Sequence, residues 1–195
     1  MRILSVDGGG YLGLATAALI EGLEHHFSMR FADRFDMFCG TSTGALIALG
    51  LAAGKSGAEI KTLYTDLGDR VFRRRADAFA AHLPRPLRWT ARVPQLWQPL
   101  YSAKPLQVAL DGTFHNMTLA DVHARGKLVI VPSFCVSTGE PRLFKTDHGG
   151  LSLHGGYRVS DIAMASAAAP TYFGLARIKQ PIGGAEEWFC DGGIV

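Results

Sequence analysis

Apolar and polar positions along this chain switch between two periods, and the switches divide it into elements. Arg2-Ile3-Leu4-Ser5-Val6 reads as a short buried strand, and Asp7-Gly8-Gly9-Gly10 as the loop after it. From Tyr11 to about Phe27, the residues Leu12, Ala15, Leu19, Leu23 and Phe27 recur at helical spacing. A second strand is predicted at about Met37 to Cys39. It passes through Gly40-Thr41-Ser42-Thr43-Gly44 into a helix over Ser42 to Ala53, which Gly54 closes. Another helix is predicted from about Ala58 to Leu67. Strand, helix, strand, helix in that order predicts a parallel sheet with helices on its faces.

The middle of the chain is harder to divide. An arginine-rich segment comes first. Pro84, Pro86, Pro94, Pro99 and Pro105 then predict irregular structure or short helices. Leu128 to Phe134 is predicted as a central strand, weakened at its end by Pro132. Ser137-Thr138-Gly139-Glu140 predicts a hairpin turn into Arg142-Leu143-Phe144. Ser160-Asp161 is expected to cap a small-residue helix from Ile162 to Ala169, which Pro170 stops. Trp188-Phe189-Cys190 predicts a last short strand entering Asp191-Gly192-Gly193.

Composition narrows the class. The chain has 195 residues, which predicts one domain over 1–195 with a sizeable core. A hydrophobic fraction of 48% and 23 glycines suit a compact α/β protein rich in tight turns. The formal charge of +3 is too small to argue by itself for nucleic acid. Cys39, Cys135 and Cys190 have neither metal nor redox spacing and are expected to be buried thiols of a reducing compartment. The apolar run at Ile3 is cut by Asp7, too early for a signal peptide. The nearly apolar stretch Ala45–Ala53 is about half the length needed to span a bilayer. The expectation is a cytoplasmic protein that at most touches a membrane surface.

The chemistry begins at Ser42. Strand, Gly-x-Ser-x-Gly, helix is the context of a nucleophile elbow. A helix starting at the serine presents free N–H groups and its positive dipole end to a reacting centre. Three glycine-rich loops follow three predicted strands, at Asp7–Gly10, Gly40–Gly44 and Asp191–Gly193. In an open parallel sheet such loops gather at the carboxyl ends of the strands. No histidine follows Asp191, so a Ser…Asp…His order is unavailable to it. Asp191, after an apolar strand, is the better candidate base. His148 or His154 with an earlier carboxylate is the alternative.

The segments Asp7-Gly8-Gly9-Gly10-Tyr11-Leu12-Gly13, Gly40-Thr41-Ser42-Thr43-Gly44 and Asp191-Gly192-Gly193 resemble the three signatures of the patatin-like phospholipase family. Val131-Pro132-Ser133-Phe134 with Thr138-Gly139-Glu140-Pro141 resembles its central hairpin. Ala165-Ser166-Ala167-Ala168-Ala169-Pro170 resembles its small-residue helix. The resemblance runs in order along nearly the whole chain. It implies a three-layer α/β/α sandwich with a mainly parallel central sheet. It also implies a lipid acyl hydrolase with a Ser–Asp dyad acting through an acyl-enzyme. Carried over by motif, Ser42 is the nucleophile, Asp191 the proton acceptor, and Gly8, Gly9 and Gly10 the oxyanion hole. Asp7, Gly13, Gly40, Gly44, Gly192 and Gly193 support the loops. The implied partner is a phospholipid or other acyl lipid, and no metal or cofactor is expected.

The sequence departs from the family pattern twice. Leu12 stands where the family carries a basic residue. The chain ends at Val195, where relatives continue, so a small version of the domain and one lacking C-terminal helices are both open. These departures support a rival reading: a weak or inactive lipid-binding or storage protein. A third reading is an effector lipase switched on by a partner or small molecule. Gly8-x-Gly10-x-x-Gly13 also matches a dinucleotide fingerprint. Against that, Asp7 would sit beside the pyrophosphate, and no acidic residue closes a second strand about 20 positions on, because Asp33 and Asp36 come before that strand. The basic segment Arg70–Arg92 has three readings: a solvated helix face, a contact with an anionic membrane, or a nucleic-acid contact.

Overall fold

The computed structural model describes residues 1–71, 101–147, 153–170 and 172–194. Strand β1 (Ile3–Val6) leads through a 3₁₀ turn at Gly10–Leu12 to helix α1 (Gly13–His26). A short α2 (Phe31–Arg34) precedes β2 (Met37–Gly40), α3 (Thr43–Ala52) and α4 (Gly57–Val71). After the undescribed stretch come α5 (Lys104–Phe114), α6 (Leu119–Ala124), β3 (Leu128–Cys135) and β4 (Glu140–Lys145). Helix α7 (Val159–Ala167), β5 (Ala176–Lys179) and β6 (Glu186–Asp191) complete the order.

The fold is α/β, with helices on both sides of the sheet. The sheet is mixed rather than mainly parallel. β1–β2 and β2–β3 are parallel, whereas β3–β4, β3–β6 and β5–β6 are antiparallel. Connection length is the reason. The turns after β3 and β5 are too short to hold a crossover, so those strands must reverse.

Helix α3 lies in the centre of the core. Every residue from Gly44 to Ala52 is buried, which suits its uninterrupted run of small and aliphatic side chains. Helix α4 is amphipathic and buries Ile60, Tyr64 and Leu67. Helix α5, not anticipated as a long element, buries Leu106, Leu110 and Phe114 at a spacing of four. Pro105 opens this helix instead of breaking it, because a proline in the first turn gives up an N–H that has no helical acceptor. Helix α6 starts with a capping box between Thr118 and Asp121.

Helix α7 begins before the expected Ser160-Asp161 cap. Arg158 occupies the N-cap position in extended conformation, with no side-chain cap bond. An isolated bridge between Arg158 and Thr118, with Val159 N–H donating to the Met117 carbonyl, sets the start there. The three cysteines are free thiols. The basic segment Arg70–Arg92 lies outside the described residues except for the end of α4, so its membrane and nucleic-acid readings have no structural counterpart here. Among the described residues no helix is long and apolar enough to cross a membrane.

The arrangement around β3 positions the site. β4 pairs along one edge of β3, from Ile130 to Cys135. The other edge is shared. β2 pairs with Leu128–Ile130, and β6 with Ser133–Cys135, running the opposite way. β2 and β6 therefore point their carboxyl ends at each other across a gap at Val131 and Pro132. Pro132 costs no ladder bond there, which is why a proline is accepted inside a central strand.

Across β3, near Cys135, β4 and β6 are tied by an ion pair. Arg142 donates to Glu187 at 2.9 Å, and their side chains are 24% and 8% exposed. Burial works against charge on Glu187, but the Arg142 guanidinium outweighs it and holds the carboxyl below the ordinary glutamate range. Stability from this pair is therefore present above the unfolded value near about 4.3. It is lost as pH falls through the lower folded value. Glu187→Gln is expected to cost about 2–3 kcal/mol, less than for a fully buried pair because Arg142 keeps some water contact. Urea unfolding at several pH values should show the deficit largest near neutrality and shrinking in acid.

Candidate active site

The elbow is built by close backbone approach. Ser42 has φ 55° and ψ −129°, a strained conformation for a residue with a Cβ. Gly40 and Gly44 make the turn possible. A Cβ on Gly40 would strike the Gly44 carbonyl, and one on Gly44 would strike the Val6 carbonyl and lie 2.6 Å from that of exposed Asp7. Gly8 packs on the nucleophile candidate itself, since a Cβ there would lie 2.8 Å from Ser42 Cβ. The first and second glycine loops are thus interlocked.

The Ser42 N–H donates to Ser166 Oγ at 3.0 Å, and the Ser166 hydroxyl donates to the Pro132 carbonyl at 2.7 Å. Pro132 lies in the gap between β2 and β6, so a hydroxyl replaces the missing ladder partner. On the other lip of the gap, Asp191 N–H donates to the Ala168 carbonyl at 2.9 Å. Asp191 is 6% exposed, and its Oδ1 accepts from the Gly193 N–H at 2.7 Å. Gly192 is pressed against the Pro132 carbonyl, where no Cβ fits. The third loop reaches the second: a Cβ on Gly193 would come within 4.0 Å of Thr41 Cγ2.

The gap thus brings together the loops carrying Ser42 and Asp191. Their side chains are not hydrogen-bonded to each other, and among the described residues Ser42 Oγ has no hydrogen-bond partner. The Gly9 N–H donates to Thr43 Oγ1 at a long 3.3 Å. The N–H groups of Gly8 and Gly10 have no acceptor among the described residues. His148 lies outside the described residues. His154 packs against Phe144 and Tyr157, and burial, with Arg142 and Lys145 nearby, pushes its pKa down.

A cavity of about 430 Å³ opens beside Ser42, lined by Gly9, Gly10 and Tyr11 at one side. Leu46, Tyr64, Leu67, Leu106 and Phe173 make its walls apolar. This size lies within the range of small-molecule pockets, about 300–1,000 Å³. Tyr64 is held rigidly: its hydroxyl donates to the Thr43 carbonyl at 2.7 Å, and burial pushes its pKa up. Gly13 is the slot that admits it, because a Cβ there would lie 2.5 Å from the Tyr64 hydroxyl. Gly13 therefore serves ring packing, a role that its place in a glycine motif does not disclose.

The sequence profile described as Patatin-like phospholipase matches residues 4–195. The chain belongs to the patatin-like phospholipase family. It is 37% identical over 196 residues to a protein named cGAMP-activated phospholipase from Pseudomonas aeruginosa, covering all of this chain and 53% of the relative. A protein of the same name from Vibrio cholerae is 32% identical over 205 residues, with 54% of it covered. Patatin-17 of Solanum cardiophyllum is 28% identical over 187 residues, covering 89% of this chain and 43% of the relative. The chain spans about half the length of the curated relatives it matches. Among solved structures, VipD from Legionella pneumophila superposes with a TM-score of 0.57 at 18% identity, over 99% of this chain and 46% of that one; this likeness is one of fold.

Sequence reading missed Ser133, Ser166, Thr43 and Tyr64. Two of them left a signal: Ser133 and Ser166 are hydroxyls at positions patterned for the core, where a buried polar group needs partners. Two glycines of α1 provide a paired test. Gly13→Ala is expected to displace Tyr64 and cost about 1–3 kcal/mol. Gly22→Ala, on an exposed helical position with open space around it, is expected to add about 0.5–1 kcal/mol. Thermal unfolding of the two variants should move in opposite directions.

Proposed function

We propose that this protein hydrolyses acyl esters of phospholipids or similar lipids, with Ser42 as nucleophile and Asp191 as proton acceptor. The observation that carries this reading is the strained Ser42 turn opening on an apolar cavity, with a glycine loop on its rim and the Asp191 loop across the gap. Ser42 Oγ attacks the ester carbonyl carbon as its proton passes to the Asp191 carboxylate. The carbonyl oxygen, now negative, is held by N–H groups of the Gly8–Gly10 loop. The C–O bond to the alcohol breaks, and the alcohol leaves with the proton from Asp191. Water then gives a proton to Asp191 and attacks the acyl-enzyme, which releases the fatty acid and restores Ser42. The proton transfer needs a Ser42–Asp191 hydrogen bond that forms around substrate, as catalytic hydrogen bonds often do.

Ser42→Ala and Asp191→Asn are each expected to lower hydrolysis of a short-chain ester by at least about 10³-fold with circular dichroism unchanged. If Asp191→Asn turns over normally while His154→Ala or His148→Ala does not, the assignment of the base is wrong.

A second reading is favoured by the relatives' names: the hydrolase is switched on by a small molecule. On it, a serine-reactive fluorophosphonate labels Ser42 slowly in the resting protein, and adding cyclic GMP-AMP speeds labelling by at least about tenfold, a coupling of the usual allosteric size. Equal, rapid labelling with and without the nucleotide favours a constitutive enzyme. No labelling in either condition supports the lipid-binding or storage reading, to which Leu12 lends its weight.

A further inference from the structure

We infer that Ser166 is a positioning residue for this hydrolysis, and that the last turn of α7 holds the nucleophile and the base at a set separation. The inference rests on the assignment of Ser42 and Asp191 above. Ser166 is fully buried, and its hydroxyl is used in both senses, accepting from the Ser42 N–H and donating to the Pro132 carbonyl. Two residues later the Ala168 carbonyl takes the Asp191 N–H. One residue earlier the Ala165 carbonyl accepts from Ser133 Oγ at 3.1 Å, and that hydroxyl lies 2.8 Å from the Cys190 carbonyl. Three residues at one helix end, Ala165, Ser166 and Ala168, therefore hold the backbone of Ser42 on one lip of the gap and of Cys190–Asp191 on the other.

Two physical consequences follow. The Ser42 turn is strained, and strained backbone persists only where its surroundings hold it. The bond to Ser166 is such a hold, and it comes from the element that also anchors Asp191. The same bond commits the Ser42 N–H to a buried acceptor, which leaves the Gly8–Gly10 loop to meet the substrate oxygen. Losing the Ser166 hydroxyl leaves an amide and a carbonyl in the gap unpaired and lets the turn move relative to Asp191.

The test compares Ser166→Ala, Ser166→Cys, Glu187→Gln and Ser42→Ala with the full chain, on p-nitrophenyl butyrate well below the melting temperature of each variant, with cyclic GMP-AMP present throughout. Ser166→Ala is expected to lower kcat about 10–100-fold, the usual effect of a misplacement near 1 Å, with KM within about twofold. Fluorophosphonate labelling should slow in parallel. Ser166→Cys, which keeps a weak donor and acceptor, should recover part of kcat and carries the same test if Ser166→Ala fails to fold. Glu187→Gln, destabilised at a distance, should keep its kcat. The inference is overturned if Ser166→Ala keeps kcat within about twofold, or if Glu187→Gln loses as much rate as it does. A fully active Ser42→Ala would instead remove the hydrolase assignment beneath it, so the two failures are distinguishable.

Discussion

The site depends on one feature of the sheet: two strands of opposite direction end against each other on a single edge of β3. β2 arrives from below and β6 from above, and neither covers Val131 and Pro132. Two turns can meet head-on in the plane of the sheet only where a ladder is interrupted. The interruption has its own cost, since it exposes backbone groups of β3 that a neighbouring strand would have paired. Proline at 132 removes one of them, and the Ser166 hydroxyl satisfies another. Strand order, proline and buried serine thus answer a single constraint.

Much of this was legible in the residues, for identifiable reasons. Gly40, Gly44 and Gly192 stand where backbone passes too close for any Cβ, so chemistry and sterics select glycine together. Helix α3 was legible because its aliphatic run has no polar face to place in water. The direction of β6 was not. A short apolar strand reads the same in either direction, and only the six-residue turn at 180–185, closed by the Gln180 N–H donating to the Ala185 carbonyl, forces reversal. The loops therefore converge for a different reason than the one expected of a parallel sheet: Asp191 stops level with Ser133, just beyond the end of β2. Pro105 misled for a related reason, because proline's meaning depends on whether it opens an element or sits inside one.

Roles within the glycine loop also separate once packing is visible. Gly8 lies against Ser42, Gly13 makes room for Tyr64, and Gly9 is tied to Thr43. One motif thus serves the Ser42 turn, the wall of the cavity and the first turn of α3. Its pattern along the chain reports only that small residues are needed. The cavity wall in turn draws on α3, α4 and α5, three elements whose apolar stripes would be equally consistent with an ordinary core.

The tether between Gly9 and Thr43 bears on how the loop chooses among ligands. At 3.3 Å it is a weak contact between neutral groups, and a donor already occupied must be taken from its present partner. An uncharged ester oxygen offers little advantage over a hydroxyl and gains little from that exchange. A full negative charge offers roughly twice the strength of a neutral acceptor. On the proposed reading, Thr43 therefore acts as a placeholder: it keeps the donor aimed while the site is empty and yields it preferentially to the species whose charge has developed, which is the discrimination on which rate enhancement rests.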